Sequence, residues 1–177
     1  MRPSGRSARS TRSPRSTTAA LLGNILEQLS SRPDDRRWLL DHPDGWPQAI
    51  EESLRYEAPV EYMLRRATRN ADIAGHQIPM GDEAALLFGS ANRDERRFAD
   101  PDRFDIRRPP SRHLAFGEGI HFCLGAALAR LEAGVVLPLL LEHLGDYQIL
   151  DGARRLQARI LRGWAALPLA IGEPYAS

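Results

Sequence analysis

The fifteen residues from Phe116 to Arg130, FGEGIHFCLGAALAR, contain the sole cysteine of the chain, Cys123, in a glycine-studded loop two residues after a histidine. Leu124, Leu128, Leu131 and Val135 recur at helical spacing, which predicts an amphipathic helix from Leu124 to about Leu144, kinked at Pro138. Gly117 and Gly119 permit backbone angles closed to other residues and let the loop approach a flat ligand. Cys123 then falls at the mouth of the helix, where unpaired N–H groups and the positive dipole end favour an anion. A sulfur held there as thiolate suits a nucleophile or a metal ligand.

A lone cysteine is otherwise a small buried hydrophobe, and other chemistries compete on the residues alone. A zinc site built from His113, His121 and Cys123 lacks the second cysteine and paired spacing of structural zinc sites. A phosphate-binding loop lacks both the GxGxxG spacing and a Lys-Ser/Thr pair. A cysteine nucleophile wants a base, and His121 stands two residues away.

The 177 residues suffice for one core or for one lobe of something larger. With 42% apolar and 27% charged residues the composition is that of an ordinary globular protein. A single cysteine forms no internal disulfide and points to a reducing, cytoplasmic setting. The longest apolar run, Ala133 to Leu141, is far short of the ~20 residues that span a bilayer, so no membrane partner is expected. All 24 basic residues are arginine, and five of them lie in residues 1–18 with no acid. The remainder carries 19 basic against 23 acidic residues, a net charge of about −4.

Residues 1–16 repeat Arg-Ser with nothing large to bury and are expected to be a disordered tail. A nucleic-acid-binding arm or a transit peptide are its sharper readings. The plain one, a tail without a role, is preferred, so no nucleic-acid partner is expected. From Thr17 to residue 177 one domain is expected. Leu21, Leu22, Ile25 and Leu29 predict a first helix, RRWLLDH a short second one, and Trp46-Pro47 opens a third that ends before Pro59. Short strands follow in VEYML, ADIAGHQIPMG and AALLFGS, then an irregular proline-punctuated stretch, then the loop and long helix. A terminal hairpin is expected to turn near Arg162-Gly163. The fold class is mainly α with small antiparallel β-sheets, an α+β arrangement.

FGEGIHFCLGAALAR resembles the haem-ligand signature of the cytochrome P-450 superfamily, FGxGxHxCxGxxLAR, at Phe116, Gly117, Gly119, His121, Cys123, Gly125, Leu128, Ala129 and Arg130. The resemblance makes Cys123 the axial ligand of haem iron, with Phe116 shielding the sulfur and the N–H groups of Leu124 and Gly125 tuning it. His121 and Arg65, in LRRATRN, correspond to propionate partners. Glu52-x-x-Arg55 matches the family's ExxR pair, which joins a further arginine in a buried network. Arg103, in DPDRFD, is the residue that matches it. Val60, Glu61, Tyr62 and Met63, with Trp164 and Ala165 at the hairpin tip, correspond to substrate-facing positions.

The resemblance covers residues 17–177 and is to soluble bacterial members, so the fold expected is the C-terminal haem-binding part of the cytochrome P-450 fold. It implies a monooxygenase that uses haem b (iron protoporphyrin IX) and O2 to hydroxylate a small apolar substrate, with electrons from a ferredoxin-type donor. Arg112 and Arg130 are candidate contacts for an acidic donor. Family chains are more than twice this length, so the chain is expected to be truncated. Thr17 falls at the threonine of the helix over the haem, with Ser16 in place of the usual acid. An exposed apolar face is expected where the other half of the fold packs. The alternative function is a non-catalytic remnant, or a half-domain needing a partner for its distal half.

Overall fold

The structure, a computed structural model, describes residues 17–175. The tail expected in residues 1–16 lies outside them. Three helices come first: α1 (Thr17–Ser30), α2 (Pro33–Asp41) and α3 (Trp46–Tyr56). Pro33 and Pro47 each sit in a first helical turn, where a missing N–H costs nothing. Arg36 ends α1: its buried guanidinium donates to the carbonyls of Leu29 and Ser30, both at 2.8 Å.

Four short strands follow. β1 (Tyr62–Arg66) pairs antiparallel with β4 (Glu83–Leu87), and β2 (Ala71–Ile73) with β3 (His76–Ile78). A four-residue helix, α4 (Phe88–Ala91), leads into turns and irregular chain up to the cysteine loop. The long helix α5 (Ala126–Leu144) runs through Pro138. At the C-terminal end β5 (Gln148–Ile149) pairs with β8 (Leu169–Ala170), and β6 (Arg154–Arg155) with β7 (Trp164–Ala166).

Helices plus small antiparallel sheets are the architecture expected, with two corrections. The terminal segment is not one hairpin turning at 162–163, because residues 156–163 form a wide excursion between β6 and β7. Leu161 there bridges to Val60. Gly163 lies so near α1 that a Cβ on it would sit 2.7 Å from the Ala20 Cβ. The second correction concerns α5, which starts at Ala126 instead of Leu124. Its buried residues are Ala126, Ala133, Leu137 and Leu141, of which the last three join Leu21, Ile25, Leu29, Ile50 and Leu54 of α1 and α3 in the core. The stripe of Leu124, Leu128, Leu131 and Val135 faces out instead. The helix is apolar nearly all round, so spacing did not tell the packed face from the open one.

Candidate functional site

A cavity of about 800 Å³ opens where β1, β4, the start of α1 and the cysteine loop converge. That volume lies within the roughly 300–1,000 Å³ of cofactor and small-molecule sites. The strand period puts Met63 and Arg65 of β1 on the cavity side. Leu86, opposite Met63 in β4, adds to the same wall. Among the described residues Arg65 has no acidic partner, and its guanidinium hydrogen-bonds the neighbouring Leu64 carbonyl at 3.0 Å. Thr17, Thr18 and Leu21 close another side.

The loop supplies the floor. Gly117 and Gly119 adopt φ of +70° and +67°, the left-handed conformations that their position in the motif suggested. The turn is closed by the Cys123 N–H donating to the Phe116 carbonyl at 2.9 Å and the Gly117 N–H donating to Leu114 at 2.9 Å. The Cys123 thiol is exposed and unpaired, and it lines the cavity with Phe116, His121 and Gly125. A Cβ on Gly125 would lie 4.0 Å from its Sγ, an ordinary van der Waals contact. Leu124 points into solvent, fully exposed.

Behind the floor lie two charged clusters, one anticipated in part. Glu52 and Arg55 are almost wholly buried and form a two-bond pair, Nε to Oε2 at 2.7 Å and Nη2 to Oε1 at 2.9 Å. Arg55 also donates to the carbonyls of Asn92, Pro101 and Arg103. The third arginine is not Arg103, whose side chain is 70% exposed and lies 3.7 Å from Asp105. It is Arg108, whose Nε donates to Glu52 at 3.2 Å. Arg103 contributes only its main-chain carbonyl, which accepts from both Arg55 and Arg108. Its neighbour Phe104 is buried in the core, while the Arg103 side chain lies outward. Arg108 hides in the pair Arg107-Arg108, where sequence offers no means of choosing.

The second cluster escaped the sequence reading. Glu51 receives both arms of Arg130, at 2.6 and 2.8 Å, and lies 3.1 Å from His113 Nε2. Partial burial pushes the Glu51 carboxyl up, but the hydrogen bonds from Arg130 and His113 outweigh it and hold its pKa at about 2. The only sequence signal was the doubled glutamate before Ser53.

The expected substrate-facing residues divide. Val60 and Met63 line the cavity, as does Thr17. Glu61 instead pairs with Arg162 at 3.3 Å, and strand alternation turns Tyr62 to the face opposite Met63. Trp164 and Ala165 lie outside the cavity wall. The Trp164 ring packs against Gly23 of α1 and under the Arg155 guanidinium, 3.8 Å from its centroid. What reaches toward Val60 from that region is Leu161. Leu86, Leu87 and Phe88 are wall residues that sequence did not single out.

No helix among the described residues is long and apolar enough to cross a membrane. The family model described as Cytochrome P450 matches residues 46–145. Cytochrome P450 107B1 of Saccharopolyspora erythraea is 45% identical over 160 residues, covering 88% of this chain and 40% of the relative. Cytochrome P450 130 of Mycobacterium tuberculosis is 43% identical over 136 residues, covering 76% of this chain and 34% of the relative. The solved structure of cytochrome P450 CYP109Q5 from Chondromyces apiculatus superposes with a TM-score of 0.84 at 41% identity, over 91% of this chain and 42% of that one. The chain thus spans about two fifths or less of the length of these relatives. A thiol-bearing glycine loop, the buried ExxR pair and the matched segment agree on one assignment: the chain belongs to the cytochrome P450 family.

Proposed function

We propose that the 800 Å³ cavity holds haem b, with the Cys123 sulfur as axial ligand of the iron, and that the chain carries the thiolate side of a monooxygenase site. One observation carries this reading: the sole thiol is exposed on the floor of an apolar cavity whose wall also presents Arg65 and His121. The residues fit the group. Arg65 and His121 would hold the two carboxylates, the open space beside Gly125 and Gly117 admits a flat ring, and Phe116 flanks the sulfur. The backbone N–H groups of Leu124 and Gly125 are the nearest donors along the chain for tuning that sulfur.

Bound haem would supply O2 activation, in which two electrons and two protons take one oxygen atom to water while the other enters a substrate C–H bond. Val60, Met63, Leu86 and Leu87 would exclude water and favour a small apolar substrate. Thr17, on the cavity wall, would hold a proton near the reacting face. A ferredoxin-type donor is the expected source of electrons. Its acidic face would meet Arg112, which is exposed and, among the described residues, paired only with Glu118 at 2.6 Å, whereas Arg130 is committed to Glu51. The lone thiol supports a reducing, cytoplasmic setting, and residues 17–177 are taken as one haem-binding part.

A second reading, a half-domain that needs a separate partner for turnover, is favoured by the exposed stripe on α5. Haem binding comes before either. The chain is to be purified with haem supplied, reduced under carbon monoxide, and its absorption recorded. A strongly red-shifted Soret band is expected, and its loss in Cys123→Ala identifies the ligand. Absence of haem uptake by the wild-type chain would overturn the proposal.

A further inference from the structure

We propose that Glu51 is a positioning residue for the Cys123 loop, acting through Arg130 and His113, which both neighbour Phe116. Three separate segments meet at its carboxylate. From α5, Arg130 approaches with Nε to Oε1 at 2.6 Å and Nη2 to Oε2 at 2.8 Å, the parallel fork that fixes direction as well as distance. From the segment before the loop, His113 brings Nε2 to 3.1 Å of Oε2. The other His113 nitrogen accepts from the Ala115 N–H at 3.2 Å, so the ring proton is assigned to Nε2 and the histidine donates to Glu51.

Both partners then bear on Phe116. The Arg130 guanidinium lies over its ring, 4.5 Å from the centroid, and the His113 ring is tilted against it with centroids 6.0 Å apart. Phe116 in turn holds Cys123, because its carbonyl accepts the Cys123 N–H at 2.9 Å. The path from Glu51 to the thiol-bearing residue therefore runs through one ion pair, one cation–aromatic contact and one backbone hydrogen bond. Each of these restricts a different freedom of the loop. The buried Glu52 network reaches the same segment by another route, from Arg55 to the Asn92 carbonyl at 2.9 Å and from the Leu114 N–H to Asn92 Oδ1 at 2.6 Å, but shares none of the three contacts from Glu51 to Cys123.

The ligand role of Cys123 rests on the haem reading above, but the clamp is measured without haem. Amide hydrogen exchange is to be followed in the full chain for wild type, Glu51→Gln, Arg130→Gln, Arg130→Lys and the double variant Glu51→Gln/Arg130→Gln. Glu83→Gln serves as control, because it breaks only the exposed pair with Arg66. In Glu51→Gln, exchange at residues 116–123 is expected to rise about tenfold or more, with α1 and the centre of α5 unchanged. Arg130→Gln should match it, and the double variant should be no worse than either single one. Arg130→Lys, which keeps the charge but not the fork, should release the loop as well.

Unchanged loop protection in Glu51→Gln would overturn the proposal. So would a rise spread evenly over α3 and α5, which marks a merely structural residue, or full protection in Arg130→Lys, which marks charge without positioning. If Glu51→Gln does not fold, the two Arg130 variants decide by the same criteria. Failure of haem uptake, by contrast, bears on the haem reading alone.

Discussion

Glu51 and Glu52 follow one another on α3, about 100° apart around its axis, and reach different partners for that reason. Glu52 turns inward to Arg55 and Arg108 and is walled off from water. Glu51 stands at the edge of α3 with its carboxyl held at about 2 against an ordinary 4.5. A depressed folded-state value means that the unfolded chain takes up protons first, so this stabilisation is complete above about pH 4.5 and fades as pH falls towards 2. Urea unfolding of wild type and Glu51→Gln should therefore differ by a constant amount from pH 7 to about 5, and the gap should narrow below that. A gap that holds its size down to pH 3 would contradict the ion pair. Sequence exposed the ExxR pair because two residues three apart on one helix meet by local geometry alone. The third arginine and the Glu51 partners lie 56, 62 and 79 residues away, and no spacing rule reaches that far.

On α5 the two faces have different fates although their residues are alike. Leu137 and Leu141 are fully buried against α1 and α3, whereas Leu131 and Leu139 are more than half exposed. Leu137→Ala should cost about 2–5 kcal/mol, the range for emptying a packed leucine site. Leu131→Ala should change the stability of this chain by less than about 0.5 kcal/mol, as surface substitutions do. Chemical denaturation of the two variants checks both values, and equal losses would mean that the exposed stripe is covered in solution. The helix itself was legible, since its long apolar periodic run admits nothing else. Which side it packs was not, because leucines and valines occupy both sides and the choice depends on where α1 and α3 lie. The same holds for β7, where a tryptophan that could have faced the cavity packs on α1 because Gly23 leaves room for its ring.

Over the whole molecule, the core joins α1, α3 and α5 on one side, and the cavity with the outer stripe of α5 forms the other. Ile120, Phe122, Leu124, Leu128, Leu131, Val135 and Leu139 lie exposed along the loop and α5. An apolar strip of this length is a self-association liability. The purified chain should scatter light and elute as oligomers, and the double substitution Leu128→Glu/Leu131→Glu should shift it towards monomer without lowering its unfolding midpoint. Unchanged association in that variant would place the sticky surface elsewhere.

The motif from Phe116 to Arg130 was enough to identify the family, the thiol and the helix behind it, because these features are local: glycines at positive φ, a cysteine before a helix, and apolar residues at helical spacing. Local sequence likewise placed the ExxR pair and the first part of the strand that carries Arg65, although the run VEYML stops at Leu64 and the strand continues to Arg66. Folding decided which arginine completes the Glu52 network, which glutamate clamps the loop, and which strand residues wall the cavity. Folding also decided which face of α5 stays open. Those outcomes depend on contacts between segments far apart in the chain, where several chemically equivalent residues compete and only packing selects among them.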